Sequence, residues 1–329
     1  MASNEDYLWN REAPVDPDVE RLERLLSPFA FEPRTLPLAP RSRPRWIRLA
    51  PIAAAAALAI GGGVWLVLTR PLWRVEPVAG RPLLGSRLLE SLRELPLGET
   101  LETDDRSVAR IHVGRLGSVV VHEGSRVRLA TLGRREQRLA LDRGTIVATI
   151  TAPPRLFIVE TRAALAIDLG CAYRLQVDES GSGTLQVTDG WVQLDGGTRE
   201  AIVPAGASAT IRAGVGPGTP VFDSAPAEMK AALERLDFES EEPSVRAKAL
   251  EDVVRAAERR DALTLLTLLW RVRADERGLV YDGLAAVLPP PPGVTRESII
   301  SGDREMLNRW WEVLPLPRLS KKKFLIWPL

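Results

Sequence analysis

Apolar positions along this chain change their spacing three times, and each change marks a different kind of element. Near the start, Val19, Leu22, Leu25 and Leu26 share one helical face. Asp16-Pro17-Asp18 reads as the start of that helix, with proline in the first turn, and Pro28 stops it. Residues 49–69 then read LAPIAAAAALAIGGGVWLVLT, 21 positions without a charge. At about 1.5 Å per residue such a run crosses the roughly 30 Å hydrocarbon layer of a bilayer, which predicts a single transmembrane helix. The run begins too deep in the chain and is too long for a signal peptide, so it is expected to stay as an anchor. Arg41, Arg43, Arg45 and Arg48 precede it, against Arg70 and Arg74 after it. That bias predicts a cytoplasmic N-terminus, with the bulk of the chain outside the cytoplasm.

From 73 to 219 the texture turns to β. Short apolar runs recur, among them residues 109–113, 118–121, 126–129 and 145–150, each bounded by Gly, Asp or Pro. Strand-sized runs about ten residues apart predict a jelly-roll-like barrel or a coiled stack of strands. Gly181-Ser182-Gly183 fits a hairpin turn between two such runs, since the Gly-Lys-Ser/Thr of a phosphate loop is missing. From 225 to 318 the spacing becomes helical. Leu233 and Leu236 lie in one segment, and Val245, Ala249, Leu250, Val253 and Val254 in the next, which opens at Pro243. Asp261 is expected to cap a third segment that buries Leu263, Leu266, Leu269 and Trp270. A fourth presents Val280, Tyr281, Leu284 and Leu288, so the module reads as one degenerate HEAT-like unit. Trp310 and Trp311 are expected in its core, and residues 319–329 form a basic, then apolar, tail.

Charge and composition narrow the function classes. The 44 basic and 43 acidic residues leave a net charge of +1, so no global field draws the molecule to nucleic acid. Charge is instead local: residues 1–32 carry eight acidic and three basic side chains, whereas residues 33–48 carry five arginines and no acid. The arginine-rich part suits anionic lipid headgroups. Cys171 is the one cysteine, and His112 and His122 are the two histidines, too few to build a His/Cys metal cage with it. Both histidines fall in strand-like runs without a nucleophile motif, and no Gly-x-Ser-x-Gly elbow occurs. Cys171 reads as a small core thiol. The sequence thus predicts a protein that is not an enzyme, with no catalytic residue, no cofactor and no metal site. Lys321-Lys322-Lys323 is a short terminal cluster that reads first as an unstructured tail and second as loose contact with a membrane surface, and no direct nucleic-acid contact is expected.

One set of residues carries a family likeness. Leu101-Glu102-Thr103 and Ser107 are followed by Gly117-Ser118-Val119, Gly124-Ser125, Leu141-Asp142-Arg143-Gly144 and Phe157-Ile158-Val159-Glu160-Thr161. Val187-Thr188-Asp189-Gly190-Trp191-Val192 and Pro204-Ala205-Gly206 close the series. This ordered set of glycine-terminated strands, after one transmembrane run, resembles the FecR domain of membrane-anchored sigma-factor regulators. The resemblance implies a protein of the bacterial inner membrane with a periplasmic sensing domain (73–219) and a cytoplasmic tail (1–48) that holds or assists an alternative sigma factor. The chain departs from the family in a shorter tail, in Gly170-Cys171-Ala172-Tyr173 where a Gly-Thr precedes an aromatic, and in the helical module that follows the β domain. A helix this short either packs on Tyr7 and Trp9 as a local cluster or folds against a partner, and in the second case Trp9, Leu22, Leu25 and Leu26 are the expected partner-binding residues. The expected partners are a cytoplasmic sigma factor, membrane lipid and an envelope protein or polysaccharide. The rival reading is an anchored structural module whose β domain binds that envelope polymer or protein.

Overall fold

Alternating burial builds the strands of this molecule, and where the alternation stops a second layer covers the sheet. The computed structural model describes residues 17–29, 72–239 and 242–316. The chain divides into two units, residues 1–66 and 67–329. In the first, α1 (Pro17–Leu26) runs into a 3-10 turn, Ser27–Phe29, at Pro28. Residues 49–69 and 319–329, expected as the membrane span and the terminal tail, lie outside the described residues. No helix among the described residues is long and apolar enough to cross a membrane.

The second unit opens with eighteen strands. The first nine are β1 (Trp73–Ala79), β2 (Leu83–Leu84), β3 (Arg87–Leu88), β4 (Arg93–Glu94), β5 (Thr100–Glu102), β6 (Val108–Val113), β7 (Gly117–Val121), β8 (Arg126–Leu132) and β9 (Gln137–Ile150). The rest are β10 (Phe157–Glu160), β11 (Leu165–Asp168), β12 (Cys171–Val177), β13 (Gly183–Asp189), β14 (Trp191–Asp195), β15 (Glu200–Pro204), β16 (Ala207–Arg212), β17 (Gly216–Pro217) and β18 (Val221–Phe222). They pair antiparallel throughout, except for β9 with β10. The fold is therefore mainly antiparallel β, followed by a helical part.

One strand belongs to two sheets. The first half of β9 pairs with β8 and β10, and its second half, residues 144–150, pairs with β7 and β12. The sequence places a boundary at Gly144, because glycine after Asp142-Arg143 reads as a turn. The chain instead passes through Gly144 and bends. Its φ of +97° is one that side-chain-bearing residues rarely adopt, and a Cβ there would come within 2.2 Å of the Ser125 hydroxyl. That close approach is used: Thr145 N–H donates to Ser125 Oγ at 2.9 Å, and Ser125 N–H donates to Thr103 Oγ1 at 2.9 Å. These polar groups are buried and paired.

Both sheets close on one apolar core that includes Trp73, Ile111, Leu139, Phe157, Leu175 and Val203. In β6 and β12 every second residue is buried, as expected for strands with one wet face. In β10, β14 and β15 nearly every residue is buried. Their outward residues Ile158, Trp191 and Ile202 form a separate apolar cluster against which Trp311 and Leu316 pack. The helical part thus covers this face.

That part consists of α2 (Ala227–Glu234), which widens into a π turn at Arg235–Glu239, then α3 (Pro243–Ala256), α4 (Ala262–Arg271) and α5 (Arg277–Val287). It ends in α6 (Arg296–Ile300) and α7 (Arg304–Trp311). Helix α4 is its buried centre, with every residue from Ala262 to Leu269 buried. Trp270, expected in the core, is only half-buried. Asp261 does not cap α4 with its side chain: its carboxylate accepts from Glu258 N–H at 2.9 Å and closes the preceding 3-10 turn, Arg259–Asp261. The reason is local, since a capping box with Glu258 satisfies the backbone one turn earlier. Trp310 is fully buried and packs edge-on against Tyr281, with ring centroids 5.3 Å apart.

Candidate functional site

Helix α1 places Leu22, Leu25 and Leu26 on one face, and they are 57%, 65% and 60% exposed. No residue of the helix is buried. Asp18 and Glu20 in its first turn and Arg24 in its last complement the helix dipole. Arg24 lies 3.9 Å from Glu20, an exposed pair that adds little. Ser27 Oγ donates to the Arg24 carbonyl at 3.1 Å and ties off the C-terminus. Phe29, which follows, is also exposed. Ten residues are too few to hold a helix in water by propensity alone, so an apolar face of this kind gains stability where it is covered. The structure therefore brings three of the four expected contact residues together, and the fourth, Trp9, lies outside the described residues.

The histidines sit where the sequence puts them, in or beside strands. His112 Nε2 is 3.1 Å from Glu76, which Arg110 also reaches at 3.3 Å, and His122 is 3.7 Å from Glu123. Among the described residues no three His, Cys, Asp or Glu side chains gather as a metal site.

Two polar clusters escape sequence reasoning. The first lies at the turn from β11 to β12. Asp168 is fully buried; its carboxylate accepts from Gly170 N–H at 2.7 Å and from the Cys171 thiol. Burial raises the Asp168 carboxyl to about 6, against the lowering effect of those bonds. Burial and the Asp168 charge push the Cys171 thiol up as well, so it stays protonated and unreactive. The Tyr173 hydroxyl, enclosed beside them, has no hydrogen-bond partner among the described residues.

The second cluster joins sheet to helices. Arg271 of α4 donates to the carbonyls of Pro217, at 3.1 Å, and Glu200, and lies 3.7 Å from Asp237. Asp237 in turn accepts from Thr219 N–H at 2.6 Å. Burial holds the Arg271 guanidinium below its usual value, and the Asp237 carboxylate opposes that. A further pair, Arg246 and Glu276, is bidentate at 3.1 and 3.2 Å. Burial would raise Glu276, but hydrogen bonds and charge from Arg246 and Arg273 hold it below the usual carboxylate range. Arg199, Glu200, Arg246, Trp270, Arg273 and Arg304 line a cleft of about 520 Å³ beside this joint. The bonds of Arg199, Arg246 and Arg271 run to carbonyls and carboxylates of the fold itself, so the cluster reads as a brace. Sequence spacing gives no sign of it, because its bonded partners lie as far as 71 positions apart, as with Arg271 and Glu200.

No family model matches the chain, and no curated protein matches it. Two crystal structures of a candidate anti-sigma factor from Parabacteroides distasonis are similar to it, each at 16% identity and a TM-score of 0.33. The first, at 1.65 Å resolution, is matched over 40% of this chain and 63% of its own, so the chain spans less than two thirds of that neighbour. The second, at 2.50 Å, is matched over 47% and 73%.

Proposed function

We propose that the chain is a single-pass regulator of the bacterial inner membrane, of FecR type and anti-sigma-like. It passes an envelope signal to a cytoplasmic alternative sigma factor. Residues 1–48 lie in the cytoplasm, residues 49–69 span the bilayer and the β and helical parts face the periplasm. The observation that carries this reading is the apolar face of α1, exposed at Leu22, Leu25 and Leu26. It stands on the N-terminal side of a 21-residue uncharged run, where a transcription partner is within reach. The arginine bias around that run and the ordered glycine-bounded strands support the orientation and the family.

The test is recovery of partners on the tagged full-length chain, solubilised from its native host and identified by mass spectrometry. A sigma factor should co-purify with the unaltered chain. Recovery should fall at least about tenfold with Leu22→Asp plus Leu25→Asp, since a charge in an apolar interface costs more than 1.4 kcal/mol. Both sites are exposed, so membrane retention should not change. Recovery of the same sigma factor by the double variant would overturn the assignment of that face. An envelope polymer or protein in place of any sigma factor would favour the anchored-module reading instead.

A further inference from the structure

Exposed apolar residues are not spread evenly over the second unit. Of the nine large ones among its described residues, six lie between 72 and 97: Leu72, Val78, Leu83, Leu88, Leu92 and Leu97. The segment from β2 to β4 is held down at Leu89 and Leu95, both buried, while most of its remaining residues face outward. Leu83 stands opposite Leu88 in the β2–β3 ladder. Strand β4 runs beside the start of β1, with Arg93 opposite Val75 and Leu95 N–H donating to the Trp73 carbonyl at 2.8 Å. The β2–β3 hairpin and residues 93–99 border one open concavity of about 720 Å³, where Leu84, Leu88 and Pro96 stand among Arg87, Arg93, Glu94 and Glu99.

We propose that this surface, with Leu83, Leu88, Leu92 and Leu97 at its tips, rests on the lipid bilayer. The inference depends on the reading that residues 49–69 span the membrane. The uncharged run ends at Thr69, three residues before Leu72. An extended chain covers at most about 3.6 Å per residue, so the start of β1 at Trp73, four residues on, lies within roughly 14 Å of the end of the span, and β4 pairs beside it about 5 Å further. Leucines exposed there meet the headgroup and acyl boundary, where their burial is favourable. Residues 74–99 carry four arginines and four glutamates. Their balance means that the surface is held by apolar insertion rather than by anionic headgroups.

Cys171 is buried, so single engineered cysteines on the full-length chain label cleanly. Leu88→Cys and Leu97→Cys, with Leu279→Cys on α5 as reference, would carry an environment-sensitive fluorophore in vesicles of phosphatidylcholine with or without phosphatidylglycerol. The labels at 88 and 97 should emit to the blue of the label at 279. Nitroxide-bearing lipid should quench them at least threefold more, equally in both lipid mixtures. If iodide reaches all three labels alike, the proposal is overturned. Shielding from iodide without quenching by nitroxide lipid means that protein covers the surface, and overturns it too. Retention after an alkaline carbonate wash reports on the span separately. Should the chain wash off, the span reading falls, and lipid quenching of the same labels on chain added back to vesicles decides the surface by itself.

Discussion

Gly144 shows how one residue decides whether two sheets share a strand. Its left-handed backbone and the 2.2 Å approach of Ser125 leave no room for a methyl group. Gly144→Ala should therefore lower unfolding free energy by about 2–3 kcal/mol, read from urea denaturation, well above the usual glycine-to-alanine effect. Asp168 decides a pH dependence. Its folded-state carboxyl, near 6, binds a proton more tightly than the unfolded chain does, so its contribution is full below the unfolded value of 3.8 and is lost as pH rises through about 6. Stability should fall by about 1.4 kcal/mol between pH 5 and pH 7.5 from this group, and Asp168→Asn should flatten that slope. A slope unchanged in Asp168→Asn would place the titration elsewhere. Neither effect is legible beforehand: no local pattern marks Asp168 as buried, and Gly144 stands where a strand-like run ends.

Strands and helices were legible where period and burial agree. The alternation of β6 and β12, the hairpin at Gly181-Ser182-Gly183 and the proline-led start of α3 all follow from local pattern. The course of β9 was hidden because local chemistry favours a turn at Asp142-Arg143-Gly144, and only the pairing of both halves outweighs it. The Asp261 side chain departs from its expected capping role for a similar reason, as two overlapping turns compete for one carboxylate. The apolar runs Phe157-Ile158-Val159 in β10 and Ala201-Ile202-Val203 in β15 are consistent with a covered outer face, although the sequence does not say which helix covers it. Of the expected contact face, the spacing of Leu22, Leu25 and Leu26 was readable in full, because a helix period needs no long-range information.

At the scale of the whole molecule, the second unit has two apolar cores, and what joins them determines how it unfolds. Trp311 and Leu316 cover Ile158, Trp191 and Ile202, while Arg271 bonds across to β15 and β17. Calorimetry should therefore show one transition for the unaltered second unit. Arg271→Ala strips Asp237 of its cation and leaves two carbonyls without their donor, at a cost of about 3–5 kcal/mol, and should split that transition into two. A single, merely shifted transition would mean that the apolar contact alone couples the cores.

The enclosed thiol at the start of β12 bears on how the molecule opens. Cys171 is buried in the apolar core and bonded to Asp168, so a thiol reagent meets it only when β12 leaves its neighbours. Its reaction rate is thus a native clock for opening of the β-domain, needing no engineered probe. With excess reagent the rate reports the opening step itself, and with little reagent the population of the open form. The same enclosure keeps the chain from cross-linking to other thiols while it is folded, so any mixed disulfide found on it records an episode of unfolding.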